Sequence, residues 1–195
     1  MLNSDLYLRR WNRDIDNMRY VNMKLQGKLD RSVGVMPLYD KINGGIKQGR
    51  SAVLLGHTGI GKTMTALEIA YEIKDADKDN RVFYNRLNVL YATHKGHFSD
   101  LAKTLEMVFD KESFEYPYPK KQCKVVIIDE IHNCDDSSLL NEIIYHAYDK
   151  FVPLILIGNL SVDNLNQRLT DMARSRLQEC GDIYNLDGKD LRQID

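Results

Sequence analysis

The stretch GHTGIGKT, Gly56 to Thr63, follows the apolar run Ala52 to Leu55 and precedes a segment in which Ala66, Ile69, Ala70 and Ile73 recur at helical spacing. Glycine, four residues, then Gly61, Lys62 and Thr63 between a strand and a helix is the P-loop signature with the flanks it requires. Gly56, Gly59 and Gly61 open backbone conformations closed to other residues and let the chain come close. The N–H groups of the loop, which also holds His57, Thr58 and Ile60, can then point at phosphate oxygens. The helix N-terminus adds partial positive charge. Lys62 is expected to reach the β- and γ-phosphates and the Thr63 hydroxyl to coordinate Mg²⁺.

The rest of the chain alternates as such a loop demands. Strand-like runs at Ala52 to Leu55, Val82 to Asn85, Lys124 to Ile128, Leu154 to Ile157 and Ile183 to Leu186 are separated by helix-like segments. The helices are expected at about Lys62 to Ile73, Ser99 to Phe109, Ser138 to Tyr148 and Ser161 to Leu177, and DKESFEYPYPKK (110–121) as a surface loop. Apolar β-rich runs alternating with amphipathic helices mean a parallel sheet covered on both faces, an α/β P-loop NTPase with five strands in a three-layer sandwich.

A second constellation lies in KVVIIDE, Lys124 to Glu130. A buried strand delivers Asp129 at its C-terminal edge, the edge where the P-loop also lies in an open α/β sheet. Asp129 is then the Mg²⁺ partner of Thr63, and Glu130 can orient and deprotonate an attacking water. The run LILIGNL ends in Asn159, an amide that either holds water and senses the γ-phosphate or simply makes a turn. Arg174 and Arg176 fall near the end of a helix, where an arginine either reaches a neighbour's nucleotide or is solvated.

Composition narrows the classes. A chain of 195 residues is one ordinary domain, too short for two enzymatic lobes. Hydrophobic residues at 43 % and charged residues at 28 % belong to a soluble globular protein, and no apolar run is long enough to span a membrane or form a signal peptide. A cytoplasmic location follows. Cys123, Cys134 and Cys180 are odd in number and form no CxxC pair, so reduced, mostly buried thiols are expected; His94 and His97 lack a third metal ligand.

Net charge is −1, but residues 1–50 hold ten Lys/Arg against five Asp, a balance of +5 that leaves −6 for the remainder. In that basic end Leu8, Trp11, Ile15, Met18, Leu25 and Leu29 form a heptad seam with Asn22 in its vacant position and Ser4 as N-cap. The seam either meets a partner helix or packs on its own body. QGKLDRSVGVMPLYDKINGG places a hinge near residues 27–37, dividing an N-terminal amphipathic helix, 1–35, from a catalytic domain, 36–195.

The P-loop, VVIIDE, and above all the tail LILIGNLSVDNLNQRLTDMARSRLQECGDIYNLDGKDLR resemble the AAA+ ATPases of the DnaC/IstB type, loaders of replicative helicases and their transposition relatives. The resemblance covers residues 50–192. It implies an AAA+/ASCE sheet ordered 5-1-4-3-2 without a substantial lid, ATP with Mg²⁺, and ATP hydrolysis in DNA replication. It implies Asn159 as sensor 1, Arg176 as the arginine finger on an adjacent subunit, and Arg192 as a late arginine that reads the nucleotide. As partners it implies single-stranded DNA, a hexameric replicative helicase reached through the N-terminal helix, and further copies of the chain joined through their ATP sites.

Other classes compete. DEIH, Asp129 to His132, matches a helicase box, but a helicase needs two tandem lobes. A kinase has the right size, yet an acidic pair followed by a sensor asparagine suits water activation better. An IstB-like transposition ATPase and a nucleotide-gated adaptor with little turnover remain the alternatives.

Overall fold

The computed structural model describes residues 38–77, 80–94, 98–109 and 122–187. The helix expected within residues 1–35, the loop 110–121, His97 and Arg192 lie outside these residues. The described strands are β1 (Ser51–Gly56), β2 (Asn80–Arg86), β3 (Gln122–Asp129), β4 (Leu154–Gly158) and β5 (Gly181–Leu186). They form one parallel sheet that reads β5-β1-β4-β3-β2 from its β5 edge, the order implied by the resemblance.

Alternation along each strand divides the core in two. Ala52, Leu54, Val125, Ile127, Ile155 and Ile157 bury against α1 (Tyr39–Lys47) and α2 (Lys62–Ala76). Val53, Leu55, Val126, Ile128, Leu154 and Leu156 bury on the other face. The helices there are α3 (Leu87–His94), α4 (Phe98–Phe109), α5 (Ser138–Lys150), α6 (Val162–Arg168) and α7 (Asp171–Cys180). Both faces being covered explains why the strands read as continuous Val/Ile/Leu runs. No disulfide joins the three cysteines, of which Cys123 and Cys134 are buried and Cys180 is half-buried. Among the described residues no helix is long and apolar enough to cross a membrane.

Three helical segments depart from the sequence reading. The single helix expected from Ser161 to Leu177 is two, α6 and α7, broken at Leu169 and Thr170, whose backbones are extended. Thr170 caps α7 by accepting from the Ala173 N–H at 3.2 Å, as Ser161 caps α6 by accepting from Asn164 at 3.1 Å. The helix α3, to which the sequence reading assigned no element, forms because Leu87 and Leu90 bury in the core.

The third is α1, a helix the sequence reading did not assign, which carries Gly44 and Gly45 in its interior. Tyr39, Ile42 and Ile46 bury on one face, and burial outweighs the glycine penalty of about 1 kcal/mol each. Gly49, with φ +83°, ends the turn. Glu72 of α2 ties α1 in place: Lys47 Nζ donates to it at 2.5 Å and the Tyr39 hydroxyl donates to its other oxygen. With Asn43 beside them, these partners hold the Glu72 carboxyl down at about 2.

The break between α6 and α7 is held by buried Asn141 of α5. Its Nδ2 donates to Ser137 O at 2.6 Å and Arg168 O at 3.3 Å, and its Oδ1 accepts from Thr170 N at 3.0 Å. Asn141→Leu leaves the Thr170 N–H and the Arg168 carbonyl without this partner, at a cost of about 1–3 kcal/mol. Thermal unfolding followed by circular dichroism should show Tm lower by roughly 3–10 °C in a chain of this size.

Candidate nucleotide site

The site lies at the C-terminal edge of the sheet, where β1 runs into the P-loop. Gly56, Gly59 and Gly61 have φ of +133°, +87° and +92°, conformations that L side chains rarely adopt. At Gly56 a Cβ would also sit 2.1 Å from the Leu186 carbonyl oxygen of β5, so glycine is required there for space as well. Buried Ile60 fastens the loop to the core, while His57 and Thr58 are exposed. Gly61 caps α2, whose first N–H groups face the loop.

Lys62 is 5 % exposed, and each of its three protons has an acceptor: Gly56 O at 2.8 Å, His57 O at 2.6 Å and Asn159 Oδ1 at 2.9 Å. The ammonium is thus set over the loop rather than out in solvent. Asn159, just past β4, also donates from Nδ2 to Thr58 Oγ1 at 2.7 Å. One amide thus ties Thr58 and Lys62 of the loop to the end of β4.

Asp129 ends β3 and is buried. Its Oδ2 accepts from Thr63 Oγ1 at 2.8 Å and from the Tyr84 hydroxyl at 2.9 Å; its Oδ1 accepts from the Glu130 N–H at 2.7 Å. A threonine that donates its proton to Asp129 keeps oxygen lone pairs free. The all-oxygen pair of Thr63 and Asp129 fits a hard cation such as Mg²⁺. Tyr84, absent from the sequence reading, is buried in β2; burial first, then the Asp129 charge, pushes its phenol far above the ordinary value. It stays protonated and donates.

Glu130 follows in the left-handed region, φ +54°, which for a residue with a Cβ stores about 1–3 kcal/mol. That conformation turns the chain out of β3 into a 3-10 turn, Ile131–Asn133, and leaves Glu130 half-buried. Arg86 Nε lies 3.8 Å from one Glu130 oxygen and Asn133 Nδ2 donates to the other at 3.3 Å. Arg168 at the end of α6 clamps the turn, donating to Ile131 O at 2.7 Å and to Cys134 O. Arg168 and Arg86 carried no motif in the sequence.

The two arginines of α7 part company. Arg174 donates to Asn166 O at 2.7 Å and Leu169 O at 3.2 Å, and pairs with Asp171. Arg176 instead lies over the rings of Tyr145 and Tyr148 at 4.9 and 5.1 Å, with Asp149 at 3.5 Å. These neighbours belong to α5, so Arg176 is not among the residues brought together at the P-loop.

Residues 52–180 match the family model described as "ATPase family associated with various cellular activities (AAA)". The chain belongs to the AAA ATPase family. A comparison with curated proteins found no match. Among solved structures this AAA domain is similar to DnaI, with TM-score 0.61 at 14 % identity, covering 85 % of this chain and 89 % of that one. It is similar to the DnaC helicase loader, with TM-score 0.59 at 18 % identity, covering 78 % and 88 %. It is also similar to AMPPCP-bound DnaA from Aquifex aeolicus, with TM-score 0.60 at 15 % identity, covering 82 % and 49 %. At these identities the likeness is one of fold, and it agrees with the resemblance to DnaC-type AAA+ ATPases carried by the sequence motifs.

One contact of the AAA site depends on pH. The Asn159 N–H donates to His132 Nδ1 at 3.2 Å, which requires that nitrogen to be unprotonated. Burial lowers the His132 pKa below 6.5. The folded chain therefore takes up this proton less readily than the unfolded one, and stability is greatest above 6.5 and declines as pH falls toward the folded value. Urea unfolding between about pH 5 and pH 8 should show a flatter pH dependence for His132→Gln than for the wild type.

Proposed function

We propose that this AAA protein is a Mg²⁺-dependent ATPase, converting ATP and water to ADP and phosphate, and that it acts as a helicase loader in DNA replication. The observation that carries the hydrolytic part is the placement of Glu130 one residue beyond Asp129. Its left-handed backbone turns it out of the strand, and Arg86 and Asn133 hold its carboxylate. A carboxylate so placed can accept a proton from water beside the phosphate chain, a role that phosphate binding alone does not need.

In this reading Gly56, His57, Thr58, Gly59, Ile60, Gly61 and Lys62 bind the phosphates. Mg²⁺ held at Thr63 and Asp129 would neutralise charge on the phosphate oxygens. Asn159 fixes Lys62 and Thr58 relative to β4 and so is suited to respond to a γ-phosphate against the loop. Arg174 is committed to backbone carbonyls at the α6–α7 junction, whereas Arg176 lies over the Tyr145 and Tyr148 rings of α5. Of the two, Arg176 makes no bond to those carbonyls, and with the SRL motif this supports it as the arginine offered to a second copy.

The loader assignment, with single-stranded DNA, a hexameric helicase and further copies as partners, is supported by the sequence motifs and by the fold likeness to DnaI and the DnaC helicase loader. A DnaA structure of similar fold, at 15 % identity and TM-score 0.60, holds AMPPCP and single-stranded DNA. We take the ATPase unit to begin at residue 36, with residues 1–35 as the partner-binding helix, Arg192 as a further nucleotide contact and the cytoplasm as the place of action.

Nucleotide titration and phosphate release measured on the full chain test this reading. Lys62→Ala should abolish binding, and Glu130→Gln should bind ATP yet lose hydrolysis by at least about 100-fold. Unchanged turnover in Glu130→Gln would leave a nucleotide-gated adaptor.

Arg176→Ala should keep nucleotide affinity and lose hydrolysis by about 1000-fold or more in the assembled protein. Arg174→Ala should act on Tm first, through the α6–α7 junction. Normal turnover in Arg176→Ala at assembly concentrations would defeat the shared site.

A further inference from the structure

Tyr84 places a polar atom where packing alone needs none. It is 2 % exposed, and its ring belongs to the cluster on the α2 face with Ala66, Ala70 and Ile127. Phenylalanine would fill the same space. A phenol hydroxyl buried without a partner is costly, so the extra oxygen is tolerable only with an acceptor. The acceptor is Asp129 Oδ2 at 2.9 Å, the oxygen that also accepts from Thr63 Oγ1 at 2.8 Å. An ionised carboxylate can only accept, so the direction of both bonds is fixed. With the Glu130 N–H on Oδ1, donors from β2, α2 and the end of β3 hold the carboxylate on both oxygens. Arg86, two residues along β2, lies against both the Tyr84 hydroxyl and Glu130, linking the two acidic positions through one strand end.

We propose that Tyr84 is a positioning residue of the cation site. Its hydroxyl fixes the rotation of Asp129 so that Oδ2 faces Thr63 and takes that hydroxyl's proton. The Thr63 oxygen then keeps its lone pairs for Mg²⁺. Without Tyr84 only the Glu130 N–H and Thr63 itself hold the carboxylate, and the acceptor that orients Thr63 is less firmly set. Outer groups of this kind set metal affinity through the ligands they orient. The proposal rests on the Mg²⁺–ATP reading of the site.

Tyr84→Phe keeps volume and removes only the donor, so the fold should survive, as far-ultraviolet circular dichroism and Tm can verify. The full chain is titrated with Mg²⁺ at a fixed concentration of a fluorescent ATP analogue, and with the analogue alone in EDTA. The Mg²⁺ midpoint of Tyr84→Phe should rise about 10- to 100-fold, with affinity in EDTA unchanged. In an Asp129→Ala background the same change should add no further shift. An unaltered Mg²⁺ midpoint overturns the proposal. So does an equal weakening with and without Mg²⁺, the pattern of a packing defect, and so does a full shift that persists without Asp129. A wild-type chain that binds the analogue identically in Mg²⁺ and in EDTA would instead defeat the Mg²⁺–ATP reading itself.

Discussion

The insertion of β4 between β1 and β3 is the constraint from which the rest of the site follows. Neighbouring strands in a sheet lie about 4.8 Å apart, so this order separates the end of β1 from the end of β3 by about 10 Å. Two groups span that gap. Thr63 does so from the start of α2, which crosses the sheet edge to bring its hydroxyl to Asp129. Asn159 fills it from below, at the end of β4, and reaches Lys62 on the P-loop side. With β1 directly beside β3, Asn159 would have no such place between the phosphate loop and the acidic pair.

The opposite side of β1 is set by β5. The parallel register brings Gly56 level with Leu186, and the Leu186 carbonyl occupies the space a side chain at Gly56 would need. The loop therefore starts from a point pinned between β4 and β5. Its left-handed glycines spend no energy on side-chain clashes, and its carbonyls at Gly56 and His57 are free to take Lys62. The left-handed conformation that glycines adopt easily in the P-loop is carried by a glutamate after β3. That strain is tolerated because Asp129 Oδ1 accepts the Glu130 N–H, and Arg168 holds the carbonyls of the turn that follows.

Much of this was legible in the sequence because it is encoded locally. The P-loop, the strand ending in Asp129 and Glu130, and the β-rich runs are short patterns whose meaning needs only their immediate flanks. The unread parts depend on residues far apart. Tyr84 looks like any inward residue of a buried strand until β2 is placed beside β3, which puts its hydroxyl within reach of Asp129. Arg168 looks like an ordinary helix-end arginine, yet its partners are more than thirty residues away in Ile131 and Cys134. The split between α6 and α7 did leave a local sign, Thr170 followed by Asp171, a capping pair inside an otherwise helical period. The helical period masked it.

That split matters for where Arg176 stands. A continuous helix from Ser161 would carry its residues along one axis, whereas the extended backbone at Leu169 and Thr170 lets α7 take its own direction and pack on α5. The junction is fixed from three sides. Asn141 bonds both sides of the break, Arg174 folds back onto the carbonyls of Asn166 and Leu169, and the Tyr145 hydroxyl meets Thr170. Tyr145 is also one of the two rings beneath Arg176. The residue that anchors the start of α7 thus also packs under the Arg176 guanidinium. Arg168, at the other side of the same break, holds the turn that carries His132 and follows Glu130. A displacement of α7 strong enough to free Arg176 from its tyrosines would have to strain bonds that share a junction with the Glu130 turn. Arg176 and Glu130 are therefore tied into one hydrogen-bonded frame.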